Sequence, residues 1–294
     1  MAVDKDLGAP VRAYLEYFRD MGVYEFYRNG EPVETEPGEH LGASVLDSAA
    51  PAPDLPVFAP VVIEGPPALV LQTQEKVLPE PDIPKPVSFN DLVPLPSVRI
   101  SPDDRAAALK AIRIDLGDCT RCPLAYAGRR NIVFGDGDAK ARLMFVGEGP
   151  GADEDEQGLP FVGKSGQLLT NMIQAMGLQR DEVYIANIVK CRPPANRAPE
   201  PEEANTCTRF LVRQMDVVQP DYVVALGATA ATYLLGVRQS LASLRGRWHD
   251  VRGAKAIVTY HPAFLLRDPR QKGEAWKDLQ MVMSEMGLKG PKRG

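Results

Sequence analysis

The sequence predicts an α/β fold: a three-layer α/β/α sandwich on a four-stranded, mainly parallel sheet, preceded by a proline-rich N-terminal arm. Three observations predict it. Four short apolar runs, at 142–146, 183–189, 222–226 and 256–259, have the length and composition of buried strands. Segments of helical periodicity separate them, which is the pattern of a parallel sheet covered on both faces. Fifteen of the 27 prolines fall in residues 1–100, which sets that arm apart from the compact remainder.

Taken in order, residues 1–30 are expected to hold an N-terminal helix. Over 7–28, Val11, Leu15 and Phe18, with Tyr14 and Met21, recur at spacings of three and four and make one apolar face. Such a helix either packs on the main domain or docks a protein partner. Residues 31–101, rich in Pro, Ala and Glu, are expected to be an extended linker, because proline removes backbone donors and blocks helices. Residues 102–294 are the compact domain. It opens with a helix over 103–116, Ser101 as its N-cap and Pro102 at its first position, ended by Gly117. Cys119 and Cys122 follow, then Pro123 and the basic pair Arg129-Arg130. Beyond them the order is strand 142–146, helix 163–176, strand 183–189, helix 201–218, strand 222–226 and helix 228–235. A hairpin-like piece at 248–251, strand 256–259 and helix 274–286 complete the chain.

Composition excludes several classes. At 44% hydrophobic and 25% charged, the 294 residues suit a soluble globular protein. No apolar run approaches the ~20 residues that span a bilayer. The start, MAVDKDLGAP, has neither the basic beginning nor the apolar core of a signal peptide, so the expected location is the cytoplasm. In that reducing compartment four cysteines suggest metal binding or catalysis rather than disulfides. The net charge of −5 is uneven: residues 1–100 carry 7 basic and 16 acidic side chains, and residues 101–294 carry 27 and 23. A mildly basic body behind an acidic arm is compatible with nucleic-acid binding without demanding it.

The stretch 147–166, GEGPGADEDEQGLPFVGKSG, follows directly on the first apolar run. A buried strand that empties into a glycine-rich turn is a common ligand site. Residues 158–165 also spell G-x-x-x-x-G-K-S, the phosphate-cradling loop of nucleotide hydrolases. That loop should follow a strand at once, whereas this one begins eleven residues late and carries Pro160 and Phe161. No later apolar run ends in an aspartate to hold magnesium, since Asp221 precedes its run. The nucleotide-hydrolase reading is therefore discounted.

Ligands in parallel sheets bind outside the carboxyl ends of the strands. By that rule the glycine-rich stretch, Asn187 and His261 should meet at one edge. An amide in the apolar run YIANIVK must find partners or cost about 1–3 kcal/mol, so Asn187 either braces a loop or reads a ligand. Phe161 is a core residue or a stacking platform. The cysteines run C-x2-C, 68 residues, then C-x15-C. Zinc ribbons prefer a second close pair, and spacing alone leaves zinc and an iron–sulfur cluster both open.

Taken together, GEGPGADEDEQGLPFVG, the Asn187 strand, HPAFLLR and the four cysteines resemble the family 4 uracil-DNA glycosylases, the iron–sulfur branch of that superfamily. The resemblance covers about 102–288. It implies a uracil-DNA glycosylase-like fold and a hydrolase of base excision repair. Such an enzyme flips uracil out of DNA, cuts its bond to deoxyribose and leaves an abasic site. It implies that Phe161 stacks on the base and that Asn187 reads its edge, accepting from N3–H and donating to O4. His261 would donate toward O2, where charge builds as the base departs. Glu148 and Gly149 would line the attacking water. The better-known uracil glycosylases carry an aspartate at the position of Gly149, which leaves the water to Glu148 or to backbone. Glu154 would crowd out the methyl of thymine. Asp153 and Glu156 are read as solvated. Lys164 and Ser165, at a helix start, would contact DNA phosphate, and Leu265, Leu266 and Arg267 resemble the loop that wedges into the duplex. Cys119, Cys122, Cys191 and Cys207 would ligate a [4Fe–4S] cluster of structural role. A relative that binds uracil-DNA covalently uses a histidine on an insertion after the Asn strand. Ile188-Val-Lys-Cys191-Arg-Pro-Pro has neither, so hydrolysis is preferred over covalent binding, and a non-catalytic uracil-DNA-binding iron–sulfur protein is the alternative class. The expected assembly is a monomer.

Overall fold

A computed structural model of the chain describes residues 86–289. Its sheet has six strands: β1 (Asp136–Gly137), β2 (Leu143–Gly147), β3 (Tyr184–Asn187), β4 (Tyr222–Leu226), β5 (His249–Val251) and β6 (Ala254–Thr259). They lie in the order β1-β3-β2-β4-β6-β5. The four inner strands are parallel and are the four expected; β1 and β5 add antiparallel edges. The expected count of four was short by these two. β1 is two exposed residues with no apolar signal. β5 is the predicted hairpin-like piece, joined to β6 through Arg252 (φ 53°) and Gly253 (φ 78°). Two successive positive φ values give a turn whose twist matches that of antiparallel strands.

The helices are α1 (Phe89–Leu92), α2 (Arg105–Leu116), α3 (Ala152–Gln157), α4 (Lys164–Ala175), α5 (Pro201–Val218), α6 (Ala228–Leu235), α7 (Leu241–Leu244), α8 (Pro262–Arg267) and α9 (Lys272–Met286). Strand alternation sorts the core into two layers. Met144, Val146, Val223, Ala225 and Val258 face one side with α2, α5 and α6. Leu143, Phe145, Val224, Leu226 and Ile257 face the other with α4 and α9. This is the three-layer sandwich. Among the described residues no helix is long and apolar enough to cross a membrane.

Three boundaries differ from the sequence reading. α2 starts at Arg105 behind a turn, so Ser101 and Pro102 stand before the helix rather than capping it. α3 and α8 are helices where loops were expected. The linker assigned to 31–101 ends sooner, because Phe89 in α1 is fully buried in the core that holds α2 and α5. Arg252 fastens this segment, donating to the carbonyls of Phe89 (2.8 Å) and Val93 (2.7 Å) while pairing with Asp216 (2.6 Å). The expected helix at 7–28 and the linker up to residue 85 lie outside the described residues.

Candidate active site

The carboxyl ends of β2, β3, β4 and β6 open on one cavity of about 420 Å³, within the range of small-molecule sites. The topology thus brings together residues far apart in sequence. Glu148, Gly149, Glu154, Phe161 and Ser165 line it from one side, and Asn187, His261 and Arg267 from others. Lys164 is exposed at the first position of α4, outside the lining.

At the floor, Gly147 pairs with Asn187 across the β2–β3 ladder. A Cβ on Gly147 would lie 2.4 Å from Asn187 Oδ1 and 2.6 Å from Phe161 Cζ. Only glycine allows amide and ring to close in from both sides. Asn187 is 1% exposed, and its Oδ1 has no hydrogen-bond partner. A buried orphan acceptor costs free energy, which a donor on a bound ligand would restore.

Phe161 is buried with φ 52°, a strained backbone for an aromatic residue. Several contacts hold it there. Its carbonyl occupies the place of a Cβ on Gly166. The buried Glu154 carboxylate accepts from the N–H groups of Gly151 (3.0 Å), Val162 (2.9 Å) and Gly163 (3.2 Å). Arg180, which sequence reasoning missed, donates to the Pro160 carbonyl at 2.6 Å. Asp155, also missed, is buried and accepts from the backbone of Arg130 and Asn131, while Asp153 and Glu156 are exposed. The helix α3 stands between β2 and the G-x-x-x-x-G-K-S segment, so no strand runs directly into a phosphate cradle there.

His261 caps α8. Its Nδ1 accepts from the Ala263 N–H at 3.1 Å, which leaves the proton of the neutral ring on Nε2. Burial, with the Arg267 charge beside it, pushes its pKa down to about 4, so the ring is neutral at pH 7 and offers an Nε2–H donor. It lies against Phe161 with ring centroids 5.5 Å apart. Elsewhere on the cavity wall, Gly149 packs so tightly that a Cβ would come within 2.7 Å of Val189 Cγ2. The Glu148 carboxylate accepts from the Thr229 hydroxyl.

The expected wedge needs correction. Leu265, Leu266 and Arg267 are the last half of α8 rather than a loop, and Leu265 is 1% exposed in the core. A residue packed inside cannot enter a duplex. Leu266, 43% exposed, and the exposed Arg267 remain at the surface.

All four cysteines are free thiols, Cys191 and Cys207 buried, Cys119 and Cys122 half-buried. Burial pushes Cys191 up to about 11 and Cys207 up to about 12, with further upward contributions from neighbouring cysteines. Cations surround them. Arg129 Nη1 reaches Cys191 Sγ at 3.4 Å and the Cys119 carbonyl at 2.7 Å. Arg121 Nη1 stands 3.4 Å from Cys119 Sγ. Lys190 is wholly buried; its backbone N–H donates to Cys207 Sγ (3.3 Å) and its Nζ to the Asn187 carbonyl (3.0 Å). Among the described residues no three His, Cys, Asp or Glu side chains gather in a group that could hold a metal ion. Neither Arg129 nor Lys190 could be singled out from spacing, since each is one of many cations until the fold places it.

The model of the uracil DNA glycosylase superfamily matches residues 134–280. A type-4 uracil-DNA glycosylase of Thermotoga maritima is 48% identical over 152 residues, 51% of this chain and 79% of that protein. One of Pyrobaculum aerophilum is 44% identical over 56% of this chain and 87% of its own length. One of Archaeoglobus fulgidus is 39% identical, with 60% and 92% covered. With the superfamily match spanning the sheet and the cavity, and relatives of this identity covered over most of their length, the chain belongs to the type-4 uracil-DNA glycosylases.

Proposed function

We propose that the cavity receives a uracil flipped from DNA and that its walls supply the hydrolysis. As a type-4 uracil-DNA glycosylase the protein is a DNA-repair hydrolase of N-glycosyl bonds, acting on uracil in DNA. The observation that carries the residue-level reading is the orphaned Asn187 Oδ1, buried beside the Phe161 ring. Uracil offers N3–H to that oxygen and O4 to the amide NH2. Cytosine reverses both groups, and a site built on paired hydrogen bonds discriminates by about 10⁴ or more.

Phe161 stacks on the base. His261 donates Nε2–H to uracil O2 as the N-glycosyl electron pair moves into the ring, and a neutral donor fixed beforehand lowers that barrier. Glu148 holds the water that attacks C1′ of the sugar, and Gly149 beside it lets Val189 close against the backbone of that wall. Glu154 shapes the loop that carries Phe161 and borders the base on its C5 side. Lys164, Ser165, Leu266 and Arg267 meet the DNA strand around the mouth.

Cys119, Cys122, Cys191 and Cys207 are proposed as ligands of a [4Fe–4S] cluster. What supports the reading is the chemistry of the donors rather than a closed metal geometry: four thiols without disulfides, with Arg121, Arg129 and the buried Lys190 to balance an anionic group. Held by these four thiols, such a group would tie the 119–122 loop to the chain after β3 and to α5. The protein is proposed to act as a monomer in the cytoplasm, with a protein partner docking through the helix expected at 7–28. Uracil release from an oligonucleotide, scored by alkaline strand cleavage, tests the reading. Full activity in Asn187→Ala would sink it.

A further inference from the structure

Thr229 carries no part in the mechanism above, yet it lines the same cavity. It is the second residue of α6, which begins directly after Gly227 at the end of β4. Gly227 has φ 92°, and a Cβ there would lie 3.1 Å from His261 Cβ, so the turn that starts α6 is fixed against the histidine. No side chain caps this helix end. The Thr229 hydroxyl is turned instead to Glu148, 81 residues earlier in the chain, and donates to its Oε2.

The physical consequence is selection of a rotamer. A glutamate has three side-chain torsions, and Glu148 stands half-buried on a cavity wall. Left alone, its carboxylate would sample several positions. Threonine in a helix is confined to two χ1 rotamers, and here its hydroxyl is turned to the carboxylate from the helix that follows the neighbouring strand. A hydrogen bond from such a group holds one carboxylate oxygen in place and leaves the other to a water molecule.

We propose that Thr229 is a positioning residue for the hydrolysis: its hydroxyl fixes Oε2 of Glu148 so that the remaining carboxylate oxygen is presented to the attacking water. This rests on the reading of Glu148 as the group that holds the water. It adds that a residue on β4's helix, not on the glycine-rich stretch, decides where that water stands.

The test uses the full chain with its cofactor and a uracil oligonucleotide, measuring kcat and KM for Thr229→Val, Thr229→Ala, Thr229→Ser, Glu148→Gln and the Thr229→Val/Glu148→Gln double variant. Misplacement of a reacting group lowers the chemical step rather than binding, so Thr229→Val and Thr229→Ala should each lose about tenfold in kcat with KM within about twofold. Thr229→Ser should restore the rate, because it returns the hydroxyl without the methyl. The double variant should be no slower than Glu148→Gln alone, since the hydroxyl then has no carboxylate to place. Wild-type kcat in Thr229→Val, a loss in valine but not in alanine, no rescue by serine, a raised KM with unchanged kcat, or independent losses in the double variant would each overturn the proposal. Wild-type activity in Glu148→Gln would overturn the underlying reading of Glu148 instead, and impaired Glu148→Gln beside normal Thr229→Val would overturn the positioning role alone.

Discussion

Asn187 and His261 do opposite kinds of work with the same economy of means. Each is a polar side chain at or just past the end of a buried strand, and each keeps hydrogen-bonding capacity for a ligand. Asn187 keeps an unpartnered Oδ1. Replacing it with alanine removes both the acceptor and the amide donor, and uracil excision should fall by about 100- to 1000-fold, the cost of losing a fixed polar group at a reacting centre; single-turnover rates check this. His261 spends Nδ1 on its own helix and keeps Nε2–H. Its pKa of about 4 lies below the ordinary 6.5, so the folded protein takes up this proton less readily than the unfolded chain. Stability contributed by the neutral ring is therefore present above 6.5 and lost as pH falls toward about 4. The urea midpoint of the wild type should drop more steeply across that window than that of His261→Gln, and a parallel drop in both would contradict the assignment. Gly147 makes the pair possible. In Gly147→Ala the added carbon would stand 2.4 Å from Asn187 Oδ1, so the pocket must open and excision must fall even where the fold survives.

At the scale of elements, the hairline difference is between neighbours on one short helix. α8 turns Leu265 into the core and Leu266 outward. Leu265→Ala leaves a cavity and should cost about 2–5 kcal/mol of stability. Leu266→Ala should stay within about 0.5 kcal/mol of wild type in stability while weakening binding to uracil in duplex DNA; chemical denaturation and a binding titration separate the two. α3 offers a second case. Of the acidic run 152–157 the sequence reads Asp153 and Glu156 as solvated, and both are exposed, while Glu154 and Asp155 are buried and brace two other loops. Helical facing, which decides this, is visible only once the neighbouring loops are in place. Other elements are plain in the sequence. β4, α5 and α6 match their expected limits residue for residue because apolar runs and proline or glycine punctuation mark both ends.

Across the whole molecule, the sheet carries the design. Its parallel inner strands send Gly147, Asn187, Gly227 and the approach to His261 to one edge. The segment before α2 belongs to the same body, since α1 buries Phe89 in it. A chain starting at residue 102 should therefore be about 3–5 kcal/mol less stable than one starting at residue 86, the usual consequence of emptying a phenylalanine site; thermal unfolding of the two truncations decides it. By itself, the sequence determined the four inner strands, the helices between them and the edge where Glu148, Phe161, Asn187 and His261 meet, because periodicity and glycine placement are local properties of the chain. It also named the family through its motifs. Only the tertiary structure decided that Leu265 is core, that Arg180 and Glu154 hold Phe161 in its strained turn, that Lys190 joins Asn187 to the cysteines and that Thr229 meets Glu148. Those are contacts between distant segments, and a side chain's partner is set by which elements pack beside it rather than by the residues on either side of it in the sequence.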